Sequence, residues 1–171
     1  MKKSILTFAS VALLFAACNN ASNTESTETT ETPAATEAPA APAETPKEAT
    51  ITLNAGDDMK YDLAEITVKE GQTVKLTLHH TGTQPVTAMG HNFVLLAAGV
   101  DLDNFAKEAI NAKDNDYIPK AMTADVIAHT KTIGGGETAE IEFPAPAKGA
   151  YDFLCSFPGH SAMMRGKFIV E

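Results

Sequence analysis

Thr73-Val74-Lys75-Leu76-Thr77-Leu78-His79-His80 alternates apolar and polar side chains with a period of two. An extended strand sends successive side chains to opposite faces. Val74, Leu76, Leu78 and His80 therefore share a face that turns to a core, and Thr73, Lys75, Thr77 and His79 share one that meets water. Further short runs lie on either side: Thr50 to Asn54, Leu63 to Lys69, His91 to Leu96, Asp125 to Thr130, Thr138 to Phe143, Ala150 to Cys155 and Gly166 to Glu171. Turn residues punctuate them at Gly56-Asp57-Asp58, Lys69-Glu70-Gly71-Gln72, Gly82, Gly134-Gly135-Gly136 and Pro144 to Gly149. Eight short strands spaced in this way predict an all-β sandwich or barrel. Asp57-Asp58 and Asp114-Asn115-Asp116 read as turn residues rather than acid–base pairs.

One stretch breaks the period. Between Asp101 and Lys113, the apolar residues Leu102, Phe105, Ala106, Ala109 and Ile110 fall at i, i+3, i+4, i+7 and i+8. That spacing is the buried stripe of a helix. Asp101 suits the N-cap, Asn111 and Lys113 suit the C-terminal end, and Pro119 stops any continuation. The helix is expected on a long loop between two strands.

Outward toward the N-terminus the strand pattern ends at Ala49. The chain has 171 residues and a net charge of −9, but the charge is unevenly placed. Residues 1–17 carry Lys2 and Lys3, residues 18–48 carry six Glu and one Lys, and residues 49–171 hold the other 16 acidic and 10 basic residues. A body of this size suits one domain. With no basic stripe to neutralise phosphates, nucleic acid is not expected as a partner.

Met1-Lys2-Lys3 precedes an apolar run from Ile5 to Ala17. As a helix that run rises only about 20 Å, short of the roughly 30 Å hydrocarbon core, so it reads as an export signal rather than a retained span. Its end, Leu14-Phe15-Ala16-Ala17-Cys18, resembles the lipobox of bacterial lipoproteins, which implies a lipidated Cys18 and an exported, periplasm-facing protein anchored to a membrane. Phe15 stands where Leu is more usual. Asn19 to Glu48 holds almost only Thr, Glu, Ala, Pro, Ser and Asn. Such a segment cannot bury enough apolar surface to order itself, so residues 18–48 are expected to form a disordered acidic tether, about 30 Å long as a coil and about 90 Å at most.

The residues that carry chemistry lie between the last two strands, in Leu154-Cys155-Ser156-Phe157-Pro158-Gly159-His160-Ser161-Ala162-Met163-Met164-Arg165. A lone buried cysteine is commonly an inert small hydrophobe. Here an imidazole and a thioether follow at Cys-x4-His-x3-Met, so one loop can aim all three at one centre. Thiolate, imidazole and thioether favour copper, and two His, one Cys and a weak axial Met describe a blue-copper electron-transfer site. Met89-Gly90-His91-Asn92-Phe93 supplies the second imidazole at the start of a strand.

These residues resemble the cupredoxins, and among them the azurin type, over essentially all of residues 49–171. The resemblance rests on Ala88-Met89-Gly90-His91-Asn92, Val126-Ile127-Ala128-His129-Thr130-Lys131 and Cys155 through Met164. It implies an eight-stranded Greek-key β-sandwich holding one type 1 copper ion. His91, Cys155 and His160 would be trigonal ligands, Met164 the axial one, and the Gly90 carbonyl a distant fifth contact. Asn92 and the backbone N–H of Phe157 would donate near the Cys155 sulfur. An apolar patch of Met89, Val86, Phe157, Pro158, Gly159 and Met163 would surround an exposed edge of His160 and dock redox partners, such as c-type cytochromes, a peroxidase or a copper reductase. Gln84 falls where the family usually places an apolar residue. His80 and His129 match family positions without being ligands, and His79 reads as solvated. The family's structural disulfide is absent, and Phe93 stands where the family buries a Trp.

The expected function is thus single-electron shuttling between Cu(I) and Cu(II), with no enzyme activity and no small-molecule substrate. A copper delivery or storage module is the alternative. A Cys–His enzyme, with Cys155 as nucleophile and His160 as base, lacks a third member and an oxyanion donor set.

Overall fold

The computed structural model describes residues 47–171. The expected export signal, Cys18 and the expected tether up to residue 46 lie outside the described residues. Eight strands form, β1 (Glu48–Ala55), β2 (Glu65–Val68), β3 (Thr73–His80), β4 (Val94–Leu96), β5 (Val126–His129), β6 (Thr138–Pro144), β7 (Gly149–Leu154) and β8 (Arg165–Val170). They make two sheets, β1-β3-β6 and β2-β8-β7-β4-β5. Because β1, β2 and β3 alternate between sheets, β1 pairs parallel with β3 and β2 parallel with β8, while β3–β6, β7–β8, β4–β7 and β4–β5 are antiparallel. This is a Greek-key sandwich.

β3 has the bounds its alternation predicts, with Val74, Leu76, Leu78 and His80 buried and the intervening residues partly exposed. Its inward face meets the second sheet in a core that includes Leu53, Val68, Phe153, Phe168 and Val170. Phe143 of β6 and Phe168 of β8 approach across the sandwich with ring centroids 6.0 Å apart. Phe93, fully buried, packs on Phe153 at 5.4 Å. β1 begins one residue before the expected domain edge, since Glu48 pairs with Thr73 in the ladder and its carboxylate reaches Lys75 at 3.0 Å.

Two local expectations need correction, and one short helix adds to them. The strand expected from His91 begins only at Val94. The Thr130 hydroxyl takes the Phe93 N–H at 3.0 Å, and His91 is held by an isolated bridge to Ile133. A one-turn helix, α1 (Val86–Met89), precedes it, with the Ala88 and Met89 N–H groups donating to the Pro85 carbonyl. The inserted helix, α2 (Leu102–Ala109), stops short of the expected end. Asp101 does cap it, accepting from the N–H groups of Asp103 and Asn104 at 3.0 Å each. Leu102, Phe105 and Ala109 are buried, but Ile110 ends the helix and is 52% exposed rather than part of the buried stripe. Two 3-10 turns, Lys113–Asn115 and Lys120–Asp125, complete the long connection from β4 to β5. No helix among the described residues is long and apolar enough to cross a membrane.

Candidate metal centre

Two segments meet at one end of the sandwich. The first is the loop that leaves β7 at Cys155 and enters β8 at Arg165. It is closed at its base by the Cys155 N–H donating to the Met164 carbonyl at 2.9 Å, and folded internally by Met163 and Met164 N–H groups donating to the His160 carbonyl at 3.0 and 2.9 Å. Gly159 has φ +82, a left-handed conformation that favours glycine and lets the loop reverse before His160. The second segment is Gly90-His91-Asn92. A Cβ at Gly90 would lie 2.7 Å from both the Phe157 ring and the Val86 carbonyl, so only glycine lets these two segments close on each other.

Asn92 joins them. Its Oδ1 accepts the Ser156 N–H at 2.9 Å, and its Nδ2 donates to the Ser156 hydroxyl and to the Asp116 carbonyl, both at 2.8 Å. The segment is held again through His80, which is fully buried and stacks on His91 with centroids 4.4 Å apart. His80 Nε2 donates to the Met89 carbonyl at 2.8 Å and Nδ1 accepts the Gly82 N–H at 3.1 Å. Both nitrogens are thus occupied by backbone, and His80 stands as a core histidine beside the site. His129 is exposed with Nδ1 3.1 Å from the Thr130 carbonyl, and His79 is half-buried on the outer face.

Within this frame, one donor atom each from His91, Cys155 and His160 lies within 4.8 Å of the others. His160 Nδ1 is 3.7 Å from Cys155 Sγ and 3.2 Å from His91 Nδ1. His91 and Cys155 are fully buried and His160 keeps 3% of its surface. His91 Nε2 is 2.9 Å from the Gly56 carbonyl and must carry a proton to bond it, so the Nδ1 lone pair points inward at the other two donors. The Gly90 carbonyl is 3.9 Å from Cys155 Sγ. Met164 is fully buried, its backbone tied to Cys155 and His160.

Burial pushes the Cys155 thiol up to about 11, against the pull of the Asn92 and Phe157 N–H groups and of the Tyr61 hydroxyl. Burial likewise takes His160 down to about 4, with His91 and His80 adding to the shift, and lowers His91 despite its bond to Gly56. Three neutral, buried, convergent donors with no carboxylate among them fit a soft cation that displaces the thiol proton.

Most of the expected site residues are brought together by these contacts. The expected donors to the sulfur are the backbone N–H groups of Asn92 and Phe157, while the Asn92 side chain serves Ser156 instead. Phe157 is buried against the His160 ring at 4.6 Å, and Tyr117 packs edge-on against it at 5.1 Å. Of the patch residues, Met163 is 54% exposed and Val86 39%, Gly159 and Gln84 are exposed, and Met89 and Pro158 are half-buried. The His160 edge is more covered than the sequence implied. Sequence reasoning misses Tyr61, Gly56, Ser156 and Asp116 as site partners, because each lies in a turn or beside a motif with no periodicity to flag it. Cys155 is the one cysteine among the described residues and is unpaired. Cys18 lies outside them.

Comparison with known proteins adds the family. The model for copper binding proteins of the plastocyanin/azurin family matches residues 47–171. Outer membrane protein H.8 of Neisseria meningitidis serogroup B is 45% identical over 120 residues, covering 68% of this chain and 64% of that protein. The chain thus spans under two thirds of the H.8 protein's length. Azurin of Pseudomonas chlororaphis is 37% identical over 129 residues, covering 72% of this chain and 99% of the relative. Among solved structures, reduced auracyanin of Roseiflexus castenholzii superposes with TM-score 0.64 at 39% identity, over 71% of this chain and 96% of its own. Auracyanin A of Chloroflexus aurantiacus, described as a "blue" copper protein, gives TM-score 0.66 at 31% identity, over 72% and 99%. The cluster of His91, Cys155 and His160 suits one copper ion.

Proposed function

Because the chain belongs to the plastocyanin/azurin family of copper-binding proteins, we propose that it is a blue-copper carrier of single electrons rather than an enzyme. In this reading His91 Nδ1, Cys155 Sγ and His160 Nδ1 would hold the copper ion, with the buried Met164 and the Gly90 carbonyl as further candidate donors. Bound copper supplies a one-electron couple between Cu(I) and Cu(II). The observation that carries the reading is the convergence of three buried donors, one thiol and two imidazoles, within 4.8 Å.

What the protein contributes is a fixed cage. Asn92 clamps the loop to the histidine segment, Ile133 and His80 clamp that segment to the sheets, and the Cys155–Met164 backbone bond closes the loop. A site whose donors cannot move has little to rearrange when the metal charge changes, which favours fast electron exchange. His160 is the ligand with residual exposure, set among Val86, Met89, Phe157, Pro158, Gly159 and Met163. A small apolar surface of that kind suits brief docking to redox proteins, such as c-type cytochromes, a peroxidase or a copper reductase.

The leader and Cys18 support an exported lipoprotein facing the periplasm, with the acidic tether at 18–48 holding the domain at 49–171 off the membrane. The likeness to outer membrane protein H.8 favours the same placement.

A potentiometric titration of the copper-loaded protein, followed by competition with a Cu(I) chelator, tests the proposal. A reversible one-electron wave with copper retained through many cycles is expected. Copper passing rapidly to the chelator on reduction would instead support delivery or storage.

A further inference from the structure

Asp57 stands in the turn after β1, exposed and outside both metal-binding segments. The peptide that joins it to Gly56 carries the carbonyl that His91 Nε2 bonds at 2.9 Å. Its side chain reaches a third segment, residues 81–84, which leaves β3 just after His80. Oδ2 accepts the Thr83 N–H at 2.9 Å and the Thr83 hydroxyl at 3.3 Å, and Oδ1 takes the Gln84 N–H at 3.3 Å. The two segments lie side by side here, since the Thr81 N–H and hydroxyl both donate to the Ala55 carbonyl, at 2.7 and 3.2 Å. Gly82 gives the carboxylate its room, because a Cβ there would lie 2.1 Å from Asp57 Oδ1. The Gly135 N–H donates to the Gln84 carbonyl at 2.8 Å and the Gly136 N–H to the His80 carbonyl at 2.9 Å, so the glycine run pins the segment as well.

We infer that Asp57 is a positioning residue for His91 as a copper ligand, its carboxylate joining the two supports of that imidazole. The inference rests on the copper reading above. One support is the Gly56 carbonyl, which fixes the Nε2 proton and leaves Nδ1 for the metal. The other is the His80 ring, stacked on His91 at 4.4 Å and held at its own Nδ1 by the Gly82 N–H at 3.1 Å. Gly56 adjoins Asp57 and Gly82 adjoins Thr83, so the contact between Asp57 and Thr83 sits directly between the two supports. A slip of one segment against the other would turn the Gly56 carbonyl away from Nε2 or draw Gly82 off His80. An ionised carboxylate makes stronger hydrogen bonds to N–H groups than a neutral acceptor does, and Asp57 directs all three of its contacts at this one segment. Exposed as it is, the side chain adds nothing to the core, and what it fixes is the register of two loops. A histidine that binds metal through one nitrogen is oriented by the partner of the other, and loss of such a partner typically costs about 10–100-fold in metal affinity.

The test uses the full chain with Asp57→Ala, which removes the carboxylate, and with Gly82→Ala, which keeps the charge but displaces it with an added methyl group. Asp101→Ala, which loses a helix cap away from the metal residues, is the control for lost stability. Two quantities are read. One is exchange of the His91 Nε2 proton with water, by NMR of the metal-free and of the reduced, copper-loaded protein. The other is copper affinity, by competition with a chelator. Both variants are expected to keep their β-sheet circular dichroism, to exchange that proton about tenfold faster and to bind copper about tenfold more weakly, while Asp101→Ala does neither. Adding Gly82→Ala to Asp57→Ala is expected to change little more, because the two act through one contact. Wild-type exchange and affinity in both single variants would overturn the inference and leave the copper reading intact. Equal losses in Asp101→Ala would reduce the effect to general stability, and an effect confined to Asp57→Ala would assign it to charge, and either overturns the positioning role. If Asp57→Ala fails to fold, Gly82→Ala decides alone. A wild-type protein that takes up no copper would sink the copper reading instead, and proton exchange in the metal-free protein would still report whether Asp57 holds His91.

Discussion

The β1-β3-β6 sheet and the metal end of the larger sheet are built on opposite plans. In the first, the outward positions of β3 are half-exposed, the inward ones are mostly buried aliphatics, and the ladder runs unbroken from Glu48↔Thr73 to Ala55↔His80. In the second, β4 is only three residues long and buried on both faces, and β7 gives way to a loop after Leu154. Its buried polar residues include His91, Asn92, Ser156 and His160. The sheet gains stability from removing apolar area from water. The metal end gathers polar groups away from water and holds three donors aimed at one another. One region makes the fold stable and the other keeps a costly arrangement in place, so perturbing them should separate stability from spectrum.

The largest expected effect is on the sheet side. Leu78→Ala removes a fully buried side chain from β3 and is expected to cost about 4 kcal/mol in denaturant unfolding, with the visible spectrum of the copper-loaded protein unchanged. A spectral change of the same size as a ligand substitution would break the division between the regions.

Acid should strike the other side. His160 is held down to about 4 by burial and by its histidine neighbours, so between that value and the ordinary histidine range the unfolded chain binds a proton that the folded chain refuses. Stability of the metal-free protein is therefore full above about pH 6.5, falls as pH drops toward 4, and levels off below, by about 3 kcal/mol at most. Unfolding at several pH values measures it. The copper-loaded protein should hold its stability further into acid, because the metal competes with that proton. A flat profile for the metal-free protein across this window would contradict the burial of His160.

Asn92→Ala strips the clamp and leaves the Ser156 N–H and the Asp116 carbonyl without it. About 2 kcal/mol of stability should be lost, and copper should exchange faster with a chelator, whereas Leu78→Ala should leave exchange alone. The smallest effect belongs to a place remote from both regions. Asp101→Ala removes the α2 cap and is expected to cost about 1 kcal/mol, with potential and spectrum untouched.

The same contrast explains how much is legible in the sequence. β3 can be read to the residue because period two survives wherever one sheet face is wet. Cys155 and His160 can be read because metal chemistry constrains residue types at fixed offsets in one loop. His91 is readable as a donor, yet its strand is shorter than the pattern suggests, since the Thr130 hydroxyl that intercepts the Phe93 N–H leaves no trace in hydrophobic pattern. α1 has no amphipathic signature in four residues, and Ile110 fits the helical stripe only because the stripe does not say where a helix stops. Tyr61 is invisible for a different reason. Its place beside Asn92 depends on a turn folding back across the end of the sandwich, a long-range contact encoded in no local spacing.

The proposed electron transfer requires Cys155 as a thiolate bound to copper, and the visible absorption spectrum of the oxidised, copper-loaded protein beside Cys155→Ser tests that most directly. The wild type should be intensely blue from thiolate-to-copper charge transfer, and the variant should lose the band while keeping its β-sheet circular dichroism. A colourless Cu(II) protein, or a band that survives in Cys155→Ser, would contradict it.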